Sequence, residues 1–324
     1  MSAQLTKIKS PIIKEFQEFN SFFYDSMKSK VSLLDTILKY VVKQKGKQVR
    51  PLFVILTAAL NGQITLKTYR GATLVELLHT ATLIHDDVVD DSMERRGLFS
   101  INALWKNKIS VLIGDYLLSR GMLVALNNKD YDLLEITSEA VKLMSEGELL
   151  QIEKARTLDI KEEVYFEIIR MKTASLIASS CAIGAASVNA SQEQQIRMKE
   201  FGEYTGIAFQ IKDDLLDFSK DITGKPKGTD LKEKKLTLPL IYALKNAKKP
   251  DRKHIINLIS KHNKRINTYK EVIQFIKQNK GFEYAIQLME DYRDKALEKL
   301  NMYPENDFKK SLTELVNYTV NRKK

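Results

Sequence analysis

Long stretches of this sequence repeat apolar residues every three or four positions and meet no helix breaker. Only six prolines and thirteen glycines occur in 324 residues, and Pro51, Pro226 and Pro239 fall where other signals already end an element. Helical periodicity runs over 10–44, 49–61, 65–91, 100–106, 108–128, 131–151, 160–188, 192–218, 235–246, 252–260, 269–278, 281–300 and 306–321. The connections are short, apart from the polar stretch "SKDITGKPKGTDLKEKK" at 219–235. Length alone suggests two domains, but no repeat, low-complexity linker or composition shift divides the chain. The expectation is all-α: one large helical bundle, a single domain over 1–324.

Cys181 stands alone, which excludes an internal disulfide framework, and its Ala, Ser and Ile neighbours make it a small core residue. The N-terminal "MSAQLTKIKSPIIKEF" has no signal-peptide core. No apolar run approaches the ~20 residues a bilayer crossing needs, so a cytoplasmic location is expected. The net charge of +11 concentrates in 245–280, where eleven Lys/Arg face only Asp251 and Glu271, 11 − 2 = +9. That block lacks a zinc-finger pattern or a regular aromatic interleave, so no nucleic-acid partner is expected. A solvated helical face explains it, with peripheral contact to an anionic membrane surface as the second reading.

The stretch "ATLIHDDVVDDSMERRG", 81–97, crowds Asp86, Asp87, Asp90, Asp91 and Glu94 at the end of an apolar helix. Asp86 and Asp90 share a face, His79 lies two turns back on it, and Asp87 and Asp91 form the adjacent stripe. Like charges at i, i+4 destabilise a helix, and the negative end of its dipole adds to the cost. A cation has to offset this. The device recurs in "FGEYTGIAFQIKDDLLDFSKD", where Asp213, Asp214 and Asp217 end another apolar helix, with Gln210 one turn earlier. Clusters dominated by hard carboxylate oxygens, with no thiolate beside them, suit Mg²⁺, which takes few carboxylates and keeps places for water and phosphate. The glycine and spacing of an EF-hand are missing, and a glycosidase needs two carboxylates rather than six aspartates.

Basic residues flank both clusters. Lys47 and Arg50 precede Pro51, Arg95 and Arg96 follow the first cluster, Lys172 and Thr173 sit in "RMKTASLIASS", and Lys225, Lys227 and Lys235 follow the second. Arginine binds phosphate bidentately and lysine as a point charge. A metal-bridged diphosphate is the ligand this pattern describes.

At this point the sequence resembles the trans-isoprenyl diphosphate synthases, the polyprenyl synthetase family. The motifs "GKQVRP", "ELLHTATLIHDDVVDDSMERRG", "SVLIGDYLLSRGM", "RMKTASLI", "AFQIKDDLLDF" and "GTDLKEKKLTLPLIYAL" occur in the family's order. The resemblance implies an isoprenoid-synthase bundle around a deep central cavity, a homodimer, and several Mg²⁺ ions bridging the aspartates and an allylic diphosphate. It puts Asp86, Asp90 and Asp213 on the metals, with Asp87, Asp214 and Asp217 alongside. Arg95, Lys172 and Lys235, with Lys225 nearby, match residues for the allylic diphosphate; Lys47, Arg50, His79 and Arg96 match those for isopentenyl diphosphate. Thr173, the Lys172 carbonyl and Gln210 match groups that face the allylic cation. Two departures are visible: Lys45-Gly46 where the family often has two glycines, and Lys234 where it has one.

The implied reaction is ionisation of the allylic diphosphate, condensation with isopentenyl diphosphate and loss of a proton. Ala81 and Thr82 are small where short-chain relatives carry bulky aromatics, which leaves a deeper pocket past Leu78 and Leu74, with Met122, Leu123 or Leu126 as its floor. A long-chain product, hexaprenyl to octaprenyl, is expected, against a farnesyl- or geranylgeranyl-type product. A terpene cyclase would need no Lys47/Arg50 site, and a non-catalytic partner subunit typically loses aspartates that this chain keeps.

Overall fold

The structure, a computed structural model, describes residues 3–44, 46–158, 161–218, 228–262 and 265–322. Its helices are α1 (Ala3–Lys9), α2 (Ile13–Met27), α3 (Ser32–Lys43), α4 (Val49–Asn61), α5 (Leu66–Val89), α6 (Ile101–Leu126), α7 (Tyr131–Thr157) and α8 (Glu162–Ile169). There follow α9 (Ser175–Ser187), α10 (Gln192–Asp217), α11 (Thr229–Lys232), α12 (Leu238–Asn246), α13 (Lys249–His262), α14 (Ile266–Gln278), α15 (Gly281–Glu298) and α16 (Asp307–Asn321). Among the described residues the only sheet is a two-stranded hairpin, β1 (Glu94–Arg95) with β2 (Leu98–Phe99). The fold is all-α, as expected.

The chain forms two compact units. The first comprises Met1–Glu139, Ser179–Lys199 and Tyr303–Glu314; the second comprises Ala140–Ala178, Glu200–Met302 and Leu315–Lys324.

In the first unit α5 is the axis, packed by α2, α4 and α6. A capping box between Thr65 and Thr68 starts it. Every residue from Gly71 to Leu78 is buried, so α5 has no solvent stripe until its acidic end. Pro51 sits in the first turn of α4, where no intrahelical N–H is lost, and residues 51–58 are all buried. The small residues of α9 serve close helix packing: a Cβ on Gly184 would stand 2.4 Å from the Val54 carbonyl oxygen. The periodicity over 10–44 is interrupted. Pro11 falls in a 3₁₀ turn, Ser10–Ile12, and the Ser29 hydroxyl accepts the Val31 N–H, a local bond that competes with the helix.

Helix α6 bends at Lys106, whose φ of 68° lies outside the helical region, beside the gap expected between 106 and 108. Read as one element, α6 corrects the membrane expectation: it is long and apolar enough to cross a bilayer by length and composition. Its buried residues Ile113, Leu117, Gly121 and Ala125 form an i, i+4, i+8, i+12 stripe, and Gly121 lies against Leu74 and Leu77 of α5.

The second unit is built on a core from α8, α10, α12, α13, α14 and α15, including Ile207, Ile211, Ile241, Ile259, Val272 and Ile276. A Cβ on Gly281 would stand 2.1 Å from the Pro239 carbonyl, so only glycine lets α15 approach α12. The basic block is the outer face of α13 and α14, with Ile255, Ile259, Val272 and Ile276 inward and Lys249, Lys253, Lys261, Lys270 and Lys277 exposed. The expected helix over 160–188 contains a π-turn, Arg170–Ala174, whose Ser175 N–H bonds the Arg170 carbonyl.

Candidate active site

In the first unit the acidic end of α5 meets the hairpin. Arg96 (φ 54°) and Gly97 (φ 76°) make the two-residue loop, the positive-φ pair of a type I′ turn. The hairpin aims Arg95 back at the helix. Arg95 Nε donates to Asp87 Oδ1 at 2.8 Å and Oδ2 at 2.9 Å, and Nη2 donates to Oδ1 at 2.5 Å. Asp87 is 1% exposed, so its carboxylate is matched inside the protein, while Asp86 is half-buried and Asp90 exposed.

Next along the hairpin, Arg96 Nη1 donates to the Gln44 carbonyl at 2.9 Å. Gly46 lies against its guanidinium, where a Cβ would stand 2.5 Å from Cζ. Lys47 is exposed and Arg50 sits in the first turn of α4. Arg50 Nη1 approaches His79 Nε2 at 2.8 Å. Burial pulls the Arg50 pKa down to about 10, with Glu76 opposing. Burial, then Arg50, Arg96 and Arg95, hold the His79 pKa well below its usual value. His79 is therefore a neutral imidazole that accepts from Arg50 through Nε2 and carries its proton on Nδ1. Among the described residues, His79 Nδ1 and Arg50 Nε are buried with no hydrogen-bond partner. Two buried donors without acceptors fit an anion. One cavity in this unit is lined by His79, Asp87, Arg95 and Arg96 together.

The pocket expectation fares unevenly. Leu74, Leu78 and Ala81 are buried in α5, and the Thr82 hydroxyl donates to the His79 carbonyl at 2.9 Å. Met122 is 42% exposed, with Leu123 and Leu126 also exposed, because the other face of α6 meets α5. The floor expected from these three is not where α6 turns its buried side.

In the second unit the π-turn carries Lys172 and Thr173 to α10. Gly147 of α7 makes room, since a Cβ there would stand 2.8 Å from the Lys172 nitrogen. Lys172 pairs with Glu148 and donates to Gln151 Oε1 at 3.4 Å. The Thr173 hydroxyl donates to Gln210 Oε1 at 2.7 Å, Gln210 Nε2 to Asp214 Oδ1 at 2.8 Å, and the Tyr165 hydroxyl to Asp214 Oδ2 at 2.7 Å. Asp214 is 5% exposed, and burial, reinforced by Asp230, pushes its pKa up to about 8. Burial and Asp217 raise Asp230 to about 6. One cavity gathers Lys172, Thr173, Gln210, Asp214, Asp230 and Lys235. Lys235 pairs with Glu233 at 2.5 Å.

Asp217 accepts the Thr229 and Asp230 N–H groups at 3.0 and 3.2 Å, pinning the start of α11. Gly228 completes that corner with φ 54° and a Cβ position 2.6 Å from the Tyr269 ring. Asp213 points outward to Arg322. Lys225 and Lys227 lie outside the described residues. Tyr165, Asp230 and Arg322 were not singled out by sequence: Tyr165 and Arg322 reach their cluster from distant segments, while Asp230 stands in "GTDLKEKK", 13 positions after Asp217.

The donors that the two clusters present outward, Asp86, Asp90 and Asp213, are carboxylate oxygens only. Among the described residues no three acidic, histidine or cysteine side chains converge into a cage. Mg²⁺ needs no cage, since it retains water and substrate phosphate beside one or two carboxylates, so the carboxylates of each cluster, taken by themselves, fit it.

The family model for polyprenyl synthetases matches residues 31–276. An all-trans-nonaprenyl-diphosphate synthase (geranyl-diphosphate specific) of Rhodobacter capsulatus is 34% identical over 97% of both chains. A polyprenyl synthase of Caulobacter crescentus, crystallised with calcium and isoprenyl diphosphate, superposes with a TM-score of 0.90 at 31% identity, over 99% of this chain and 98% of that one. A geranylgeranyl pyrophosphate synthase of Bacteroides thetaiotaomicron gives 0.84 at 36% identity, over 99% and 100%. The chain belongs to the polyprenyl synthetase family, prenyltransferases acting on isopentenyl and allylic diphosphates.

Proposed function

We propose that this chain is a Mg²⁺-dependent long-chain trans-prenyl diphosphate synthase. The observation that carries the reading is the buried pair of unmatched donors, Arg50 Nε and His79 Nδ1, beside Arg96. They suit the diphosphate of isopentenyl diphosphate, with Lys47 as a further cation. A cyclase, which has one diphosphate substrate, leaves them without purpose.

Asp86, Asp90 and Asp213 would hold Mg²⁺, which when bound supplies positive charge against the leaving diphosphate. The Caulobacter relative, complexed with calcium and isoprenyl diphosphate, supports a divalent cation as part of the reaction. Arg95, Lys172 and Lys235 bind the allylic diphosphate, and Asp87 keeps the Arg95 fork oriented. As the allylic C–O bond breaks, the paired oxygens of Thr173 and Gln210 face the cation as dipoles, offering no nucleophile of carboxylate strength. The isopentenyl double bond forms the new C–C bond, and the proton lost from carbon goes to the released diphosphate.

The nonaprenyl relative supports a long-chain product, and the small Ala81 and Thr82 leave room for one of hexaprenyl to octaprenyl length. The exposed apolar side chains of α6, among them Val111, Leu112, Met122 and Leu126, suit burial against a second copy, and we assign the enzyme as a homodimer. The test is an incubation with Mg²⁺, farnesyl diphosphate and excess isopentenyl diphosphate, resolving products by length. A dominant product of six or more isoprene units supports the reading. Arrest at geranylgeranyl diphosphate removes the long-chain assignment, and no elongation from any allylic primer removes the activity.

A further inference from the structure

Arg322, the residue after α16, is one of the longest-range contacts of the second acidic cluster. Its Nη2 donates to Asp213 Oδ1 at 2.8 Å, across 109 positions of sequence. Its Cζ lies 4.2 Å from the centroid of the Phe209 ring, one helical turn before Asp213 on α10. The Arg322 side chain is 15% exposed against 50% for Asp213. Among the described residues its Nε is buried with no acceptor. Lys212 lies in the same field: burial first, then the Arg322 charge, lowers its pKa.

A stacked, largely buried guanidinium therefore holds the outermost aspartate of the cluster while leaving one of its own donors unmatched. A buried arginine satisfied at one end only is an arrangement another partner can displace. The partner with most reason to do so is a divalent cation, which competes with the guanidinium for the same carboxylate and is repelled by it at close range. We propose that Arg322 is a positioning residue that holds Asp213 in the metal-free protein and yields it when the ion binds, so that the C-terminal turn sets the metal affinity of the second cluster. The inference rests on the reading of Asp213 as a metal ligand.

The test uses the full chain and Mn²⁺ as a paramagnetic probe of bound metal, with and without inorganic pyrophosphate. In R322Q, Mn²⁺ alone binds about fivefold tighter than in wild type, about 1 kcal/mol, the upper range for a partly exposed pair. R322K keeps the charge but loses the fork and the stacking, and falls between the two. In D213N the R322Q change has no further effect. Unchanged or weaker Mn²⁺ binding by R322Q, with binding by wild type that D213N weakens, overturns the inference alone. Absence of Mn²⁺ binding by wild type even with pyrophosphate, or D213N binding as wild type does, overturns the reading of Asp213 and the inference with it. Should the R322Q melting curve in chelator show an unfolded chain, R322K carries the test and must bind tighter than wild type.

Discussion

Replacing Arg95 by methionine isolates what the acidic end of α5 depends on. Asp87 is 1% exposed and makes three contacts of 2.5–2.9 Å to one guanidinium, whose side chain is 26% exposed. Removing one partner of a buried pair costs about 3–5 kcal/mol, because the other charge stays in a medium that cannot solvate it. The quarter-exposed arginine lets some water reach the pair, which puts R95M near the lower end, about 3 kcal/mol. The reverse change is cheaper. Asp87→Asn leaves Arg95 with solvent to turn to, and costs about 1–2 kcal/mol in lost charge-assisted bonding. The double variant removes the stranded charge and recovers most of the R95M loss. The assay is equilibrium unfolding in urea followed by far-ultraviolet circular dichroism, in chelator, for all four proteins. An R95M loss below ~1 kcal/mol, or no larger than that of D87N, refutes the claim that a stranded Asp87 carboxylate is the dominant cost.

Other outcomes follow from the same geometry. His79 titrates in the folded protein well below its usual 6.5, so its contribution to stability is complete above that value and is lost as pH falls below it toward the folded value. His79→Gln therefore flattens the acid limb of a stability–pH curve, and an unchanged limb removes the burial argument. Gly228→Ala meets both a left-handed backbone and the Tyr269 ring, and lowers stability by about 1–3 kcal/mol in thermal or urea unfolding. Thr82→Phe shortens the product in a chain-length assay; an unchanged length means that Thr82 does not line the growing chain.

Much of this molecule was legible wherever periodicity and composition decide structure. The limits expected for α4, 49–61, coincide with Val49–Asn61, and the kink at Lys106 falls where the periodicity of α6 lapses. What was not legible is set by partners distant in the chain. Nothing in "RMKTASLI" announces a π-turn, which adds one residue to a helical turn without changing the apolar count. Likewise Tyr165 precedes Asp214 by 49 positions and Arg322 follows Asp213 by 109, so neither joins a local motif. The side of α6 that carries Met122 was hidden for a different reason. Its helix was correctly expected, but which side faced α5 was decided by Gly121 and Ala125, whose small size lets α5 approach.

The two acidic clusters share a division of labour that their sequences conceal. In each adjacent pair the second aspartate is buried, Asp87 at 1% and Asp214 at 5%, while Asp86 is half-buried and Asp213 exposed. Helical geometry allows the split, since neighbours lie about 100° apart and one can face the core while the other faces outward. The buried member is matched differently in the two cases. Asp87 meets a cation, Arg95, whereas among the described residues Asp214 accepts from the neutral donors Tyr165 and Gln210, and burial raises its pKa to about 8. A buried carboxylate with neutral partners stays protonated far more readily than one with a guanidinium. With Asp214 protonated, the second cluster carries less negative charge than its count of aspartates implies. Its exposed member is already held by Arg322. A divalent ion arriving there meets a site whose charge is partly neutralised by its own neighbours. The charge that a cation meets at the second cluster is thus set by residues outside the aspartate motif, Tyr165, Gln210 and Arg322, as much as by the aspartates themselves.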